Sequence, residues 1–238
     1  MGRGAEYREG LRDGIPIGLG YLSVSFAFGM MAISLAFPAW APTLISMTNL
    51  TSAGQFAGLS LIVASGPLIE VMLTQWVINL RYALMSLSLT QKFADGIGWK
   101  DRLLMAFFVT DEIFVVASSR ADLISRRYYF GLATAPYLGW AGGTLLGAIA
   151  GGLLPLSVRS ALGIAIYVMF IAIIIPPARH SGAIRGVIVC AAVLSCLFHF
   201  APGLRQVSSG FVVIVCTIVT SALAAWLRPI QTEKEEGQ

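Results

Sequence analysis

The chain has 238 residues, 57% of them hydrophobic and 12% charged, with a mean hydropathy of +0.79. Soluble domains carry about 25% charge, so this composition excludes an ordinary water-soluble fold, and the length allows about eight spans of roughly 20 residues. The net charge of +4 is spread over loops, as the positive-inside rule expects, and gives no reason to invoke nucleic acid.

Residues 1–14 read as a polar cytoplasmic segment in which Arg3, Arg8 and Arg12 interleave with Glu6, Glu9 and Asp13. That acidic content, with no A-x-A site after it, is unlike a cleaved signal. Asp13-Gly14-Ile15-Pro16 predicts a helix start, Asp as cap and Pro in the first turn. The first span follows to about Phe37, and Gly14 and Gly18 form a GxxxG suited to close helix packing.

The stretch from Thr43 to Leu89 organises the rest, because it sets Asn49, Thr51, Ser52, Gly54, Gln55, Glu70, Asn79 and Arg81 among apolar neighbours. A polar group at membrane depth must find a partner or line a cavity. Ser52-Ala53-Gly54-Gln55 has the spacing of a capping box, which predicts a helix starting inside the membrane after unwound backbone at Asn49–Thr51. Its free N–H groups and positive dipole end would face a cavity. A third segment runs from about Leu68 to Leu89, with Glu70 near one end and Arg81 deeper.

Gln91–Arg102 is a polar loop. The fourth segment, about Leu103–Ser118, places Asp111 and Glu112 at its centre, and Arg120, Arg126 and Arg127 follow as the strongest cytoplasmic signal. The fifth, about Tyr128–Gly151, repeats Gly143, Gly147 and Gly151 as a stripe for a helix of this chain or of a partner. The sixth covers about 156–175, the seventh 184–200 and the eighth 209–227, and the tail 229–238 is charged and expected to be disordered. The fold is therefore expected to be all-α and polytopic. About eight (7–8) transmembrane helices fill one domain over 15–228, with a broken helix near residues 49–55. The loop charges favour both termini inside, but Lys92, Lys100 and Arg102 would then face outward, against the rule. A faint echo links Gly20-Tyr21-Leu22 to Pro136-Tyr137-Leu138-Gly139.

No Walker A loop, Gly-x-Ser-x-Gly, HExxH or dinucleotide fingerprint occurs, so no enzyme and no cofactor is expected. Cys190, Cys196 and Cys216 form no CxxC and read as small apolar helix residues, and the two histidines, His180 and His199, are too far apart in sequence to suggest a metal site. The few ionisable groups among apolar spans suit a carrier of a small solute with a charged end.

Several segments resemble the AzlC family of branched-chain amino acid exporters: Tyr7-Arg8-Glu9-Gly10, Asp13-Gly14-Ile15-Pro16, Ser52-Ala53-Gly54-Gln55-Phe56-Ala57, Asn79-Leu80-Arg81-Tyr82 with Met85–Leu89, and Thr110-Asp111-Glu112-Ile113-Phe114. The resemblance runs in order from about residue 7 to 200. It implies export of leucine, isoleucine, valine and methionine or toxic analogues from the bacterial cytoplasmic membrane, with a small membrane partner of the AzlD type. It brings no set of site residues. From the residues themselves, the substrate carboxylate would meet the N–H groups of Ser52–Gln55, with Arg81 as the alternative cation. The ammonium would meet Asp111 or Glu112, with Asn49 and Gln55 carbonyls helping. Thr51 and Asn79 lie beside these groups, and Phe56, Phe108 and Phe114 are candidates for an apolar wall. Arg81 is the only base of comparable depth, so one of Asp111 and Glu112 is left to handle protons, and Asp111 is favoured for that role. Another hydrophobic or organic-acid solute, or a non-transporting scaffold, is the alternative.

Overall fold

The computed structural model describes residues 3–153 and 181–227, with isolated positions between them. The described residues form helices α1 (Arg3–Ser34), α2 (Trp40–Thr48), α3 (Ser52–Val63), α4 (Leu68–Thr90), α5 (Trp99–Phe107), α6 (Asp111–Ser119), α7 (Arg126–Leu153), α8 (Gly182–Phe200) and α9 (Ser209–Leu227). α1, α8 and α9 are long and apolar enough to cross a membrane. α4, with 23 residues, and α7, with 28, have the length as well, at about 1.5 Å per residue, but carry polar groups along them.

The spine is a parallel pair, α1 and α7. Gly10 sits on Tyr128 and Leu132, Gly18 on Ala135 and Gly29 on Thr144, while Gly143, Gly147 and Gly151 sit on Leu22, Phe26 and Met30. A Cβ at Gly18 would stand 2.6 Å from the Ala135 carbonyl oxygen, and one at Gly147 would overlap the Phe26 carbonyl. Glycines four apart on both helices thus let the backbones touch. The Gly143–Gly147–Gly151 stripe is used inside the chain and is not open to a partner. The same docking explains why α1 starts at Arg3 and continues through Pro16, so that Asp13 is not a helix cap. Its carboxylate instead accepts from the Tyr128 hydroxyl at 2.8 Å.

Two hairpins enter this frame from opposite ends. α2 runs inward until Ser46 meets Thr144 at 2.7 Å and the Met47 carbonyl accepts from Tyr137 at 3.1 Å. α3 then returns along α1, with Phe56 edge-on to Phe28, and Leu59 and Ala32 in the same cluster. α5 enters from the other end, where Asp101 pairs with Arg126 at 3.1 Å, and brings Phe108 onto Tyr137 at 5.6 Å. α6 goes back to the end it came from, where Arg120 pairs with Glu9 at 2.7 Å. That bond to Glu9 pushes the Arg120 guanidinium above its ordinary pKa.

α4 joins the two ends. Glu70, at its start, accepts from Gly210 N–H at the head of α9, and just past its last turn Lys92 donates to the carbonyls of Ser118 and Arg120. α8 and α9 are antiparallel, Gly182 and Ala183 lying beside Leu223 and Ala224.

This arrangement changes the expected topology. The break at 49–51 is present, but the chain turns back there, and a second break at 108–110 divides the segment expected to be a single fourth span. Two hydrophobic segments therefore fold back on themselves as hairpins. The loop after α4 lies beside the loop before α7: Ile124 N–H donates to the Lys92 carbonyl at 2.8 Å, and Ala94 N–H to that of Ile124 at 3.0 Å. Lys92, Lys100 and Arg102 thus share one end with Arg120, Arg126 and Arg127, and the conflict with the charge rule disappears. Glu70, expected near an interface, is 1% exposed. Most of the expected sixth span, with Arg159, His180 and the tail 229–238, lies outside the described residues.

Candidate functional site

Each hairpin tip is built by one threonine. Thr51 Oγ1 accepts from Gly54 N–H at 3.3 Å and Thr110 Oγ1 from Ile113 N–H at 3.4 Å, so each caps the half-helix that follows it. The cap of α3 is thus Thr51 and not Ser52, one residue earlier than the capping-box spacing suggests. Gln55 consequently does not close a box. Its Nε2 donates to the Asn49 carbonyl at 2.6 Å, and its Oε1 accepts from Trp140 Nε1 at 3.2 Å and from Ser46 at 3.5 Å. Asn49 Oδ1 takes the Thr51 N–H at 3.1 Å. Asn49, Thr51 and Gln55 therefore hold the unwound backbone in shape. The N–H groups of Ser52 and Ala53 have no bond among the described residues. They are the open donors at the positive end of α3.

The tips meet at the level of Tyr21 and Trp140, where Leu50, Phe108 and Tyr137 join the same apolar cluster. Tyr21 and Trp140 pack edge to face at 5.3 Å. The two parallel spans each spend a tyrosine on one tip: Tyr137 holds the Met47 carbonyl of the first, and Tyr21 donates to Glu112 Oε2 of the second. The sequence echo around these tyrosines has this spatial counterpart.

Asp111 and Glu112 begin α6 and do not lie in mid-helix. Asp111 Oδ2 pairs with Arg81 at 3.0 Å, and the two side chains are 39% and 44% exposed. Arg81 also lies over Tyr82, with its guanidinium 5.0 Å from the ring centroid. Asn79 donates to Gln75, whose Nε2 donates to the Gly54 carbonyl at 2.7 Å, so Asn79 supports the first tip through Gln75. Phe56 and Phe114 pack in the clusters on either side of the tips, and of the three expected wall residues only Phe108 reaches them. The sequence reading missed Tyr21, Gln75, Tyr137 and Trp140. The available signal was general: a phenol, an indole N–H or an amide in an apolar helix needs a partner. Among the described residues no group of three His, Cys, Asp or Glu could hold a metal.

Opposed helix hairpins with capped N-termini and a charge pair at their meeting point are features shared with membrane transport proteins. Residues 16–154 match the family model described as AzlC protein. The chain is 32% identical to a protein of Archaeoglobus fulgidus described as an uncharacterized membrane protein, over 95% of this chain and 97% of that one. It is 30% identical to the inner membrane protein YgaZ of Escherichia coli, over 72% of this chain and 73% of that one. It is 25% identical to the branched-chain amino acid transport protein AzlC of Bacillus subtilis, over 62% and 58%. No solved structure matches. The chain belongs to the AzlC family.

Proposed function

We propose that this chain is the large subunit of a secondary exporter of branched-chain amino acids in a bacterial cytoplasmic membrane, with the solute bound between the two hairpin tips. The observation that carries the reading is the convergence there of free helix N–H groups, one Arg–Asp pair and an apolar wall. A zwitterion with an aliphatic tail has three matching parts. Its carboxylate fits the Ser52 and Ala53 N–H groups, with Arg81 as the alternative cation. Its ammonium fits Asp111 or Glu112, and its tail fits Leu50, Phe108 and Tyr137. Such a solute would compete with Arg81 for Asp111, so binding and breaking of the pair are linked. The name of the Bacillus relative supports the substrate class. Proton coupling through Asp111 and Glu112, and a small AzlD-type partner, complete the proposal.

The Lys and Arg residues of the basic end support a cytoplasmic position for it, with both termini inside. Among the described helices, α1, α4, α7, α8 and α9 then cross, and two hairpins dip in from opposite sides. The test is counterflow of labelled leucine in proteoliposomes containing the chain with its small partner, using isoleucine, valine, methionine and unrelated organic acids as competitors. Competition by the aliphatic amino acids, lost in Arg81→Gln at normal protein level, is expected. Full transport by Arg81→Gln, or competition only by organic acids, would contradict the site or the substrate.

A further inference from the structure

A cavity of about 290 Å³ lies between the second half of α4 and α5, reaching Val109 beside the second tip. Leu89 and Val109, both buried, form its floor, and the exposed side chains of Leu87 and Ala106 form its rims. At the basic end it opens beside Phe93 and Arg102. Its volume lies near the lower limit of about 300 Å³ for small-molecule sites, and its walls run lengthwise along two membrane helices, a shape suited to one hydrocarbon chain.

The charge at the mouth is uncompensated. Arg102 donates from Nε to the Ile97 carbonyl at 3.2 Å and lies 5.8 Å from the Phe93 ring centroid. Among the described residues no carboxylate pairs with it or with Lys100, and the neighbouring Asp101 is occupied by Arg126. A cation without a carboxylate partner at the end of an apolar slot matches a molecule with a long tail and a negative head. Basic pockets between helices at the cytoplasmic face hold anionic lipid heads for this reason.

We propose that this crevice is a binding site for one acyl chain of an anionic phospholipid, with the phosphate on Arg102. The site does not depend on which solute is carried, since none of the charged or capping residues of the tips lines it. The lipid would fill the gap behind the second hairpin and brace α5 against α4, leaving the hairpin better ordered when it is bound.

The test is the melting temperature of the purified full chain in a neutral detergent, with phosphatidylglycerol, phosphatidylcholine or inorganic phosphate added. Phosphatidylglycerol should raise it saturably by a few degrees, and the other two should not. Arg102→Gln should lose most of that rise, and Ala106→Trp, which fills the slot from an exposed rim, should lose it with Arg102 intact. Native mass spectrometry should show retained phosphatidylglycerol in the wild type and not in Arg102→Gln, which keeps the question answerable if Ala106→Trp folds poorly. Leucine should not displace the lipid. An equal effect of phosphatidylcholine or of free phosphate, an undiminished rise in Arg102→Gln, or displacement by leucine would overturn the proposal.

Discussion

A methyl group at Gly147 tests the α1–α7 spine. A Cβ built there overlaps the oxygen, carbon and Cα of Phe26, all of them helix backbone, so no side-chain rotation relieves the clash. The helices must move apart, and the backbone contacts at Gly18, Gly29, Gly139 and Gly143 loosen with them. Overpacking of a well-fitted core costs about 1–3 kcal/mol, and a backbone clash belongs at the upper end of that range. Gly→Ala on an open helix surface instead gains about 0.5–1 kcal/mol. Gly142 supplies that control, since a Cβ there meets nothing within 4 Å. Gly147→Ala should therefore unfold at lower temperature and lower denaturant than wild type, while Gly142→Ala should be unchanged or slightly more stable. The assay is intrinsic-fluorescence unfolding of each variant in the same detergent, without any partner subunit. Equal stability of Gly147→Ala and wild type, with loss appearing only when a partner is added, would refute intrachain use of the stripe.

Three further outcomes follow from the site and its supports. Asp111→Asn should lose gradient-driven accumulation while retaining solute exchange, measured in proteoliposomes with and without an imposed pH gradient; retention of both would move the proton role to Glu112. Tyr21→Phe keeps the ring against Trp140 but removes the donor to Glu112, so transport should fall with little change in protein level, and full transport would show that this bond does not hold the second tip. Gly210→Ala should destabilise the chain as measured by thermal unfolding, because its Cβ would come 2.5 Å from Glu70 Oε1 and 2.6 Å from Thr74 Oγ1; unchanged stability would show that α9 does not rest on α4.

Much of the polar centre was legible because lipid gives polar groups no other place to go. Asn49, Thr51 and Gln55 marked a broken helix, and the structure breaks there. What the sequence could not say is that the chain reverses at the break, since a hairpin of two short helices and one continuous span have the same hydropathy. Two clues to the second hairpin were present. Thr110 followed by Asp111 and Glu112 has the signature of a capped helix start, and Lys92, Lys100 and Arg102 broke the charge rule. Both become consistent once α5 and α6 enter and leave at one end. The direction in which a side chain is used was the less legible part: Gln55 and Asn49 carry the form of the tip and Asn79 acts through Gln75, a distinction set by neighbours far apart in the chain.

The side on which the loop after α4 emerges tests the two-hairpin account most directly. Asp95 and Ala121 are exposed in neighbouring loops at the basic end, and Ser65 is exposed at the opposite end. In a background with Cys190, Cys196 and Cys216 replaced by alanine, Asp95→Cys, Ala121→Cys and Ser65→Cys would each be labelled in intact cells with a membrane-impermeant maleimide. The account predicts labelling of Ser65→Cys only, with Asp95→Cys and Ala121→Cys reacting after the membrane is opened. Labelling of Asp95→Cys from outside while Ala121→Cys stays protected would mean that α5 and α6 cross as one span, and the opposed hairpins would be wrong.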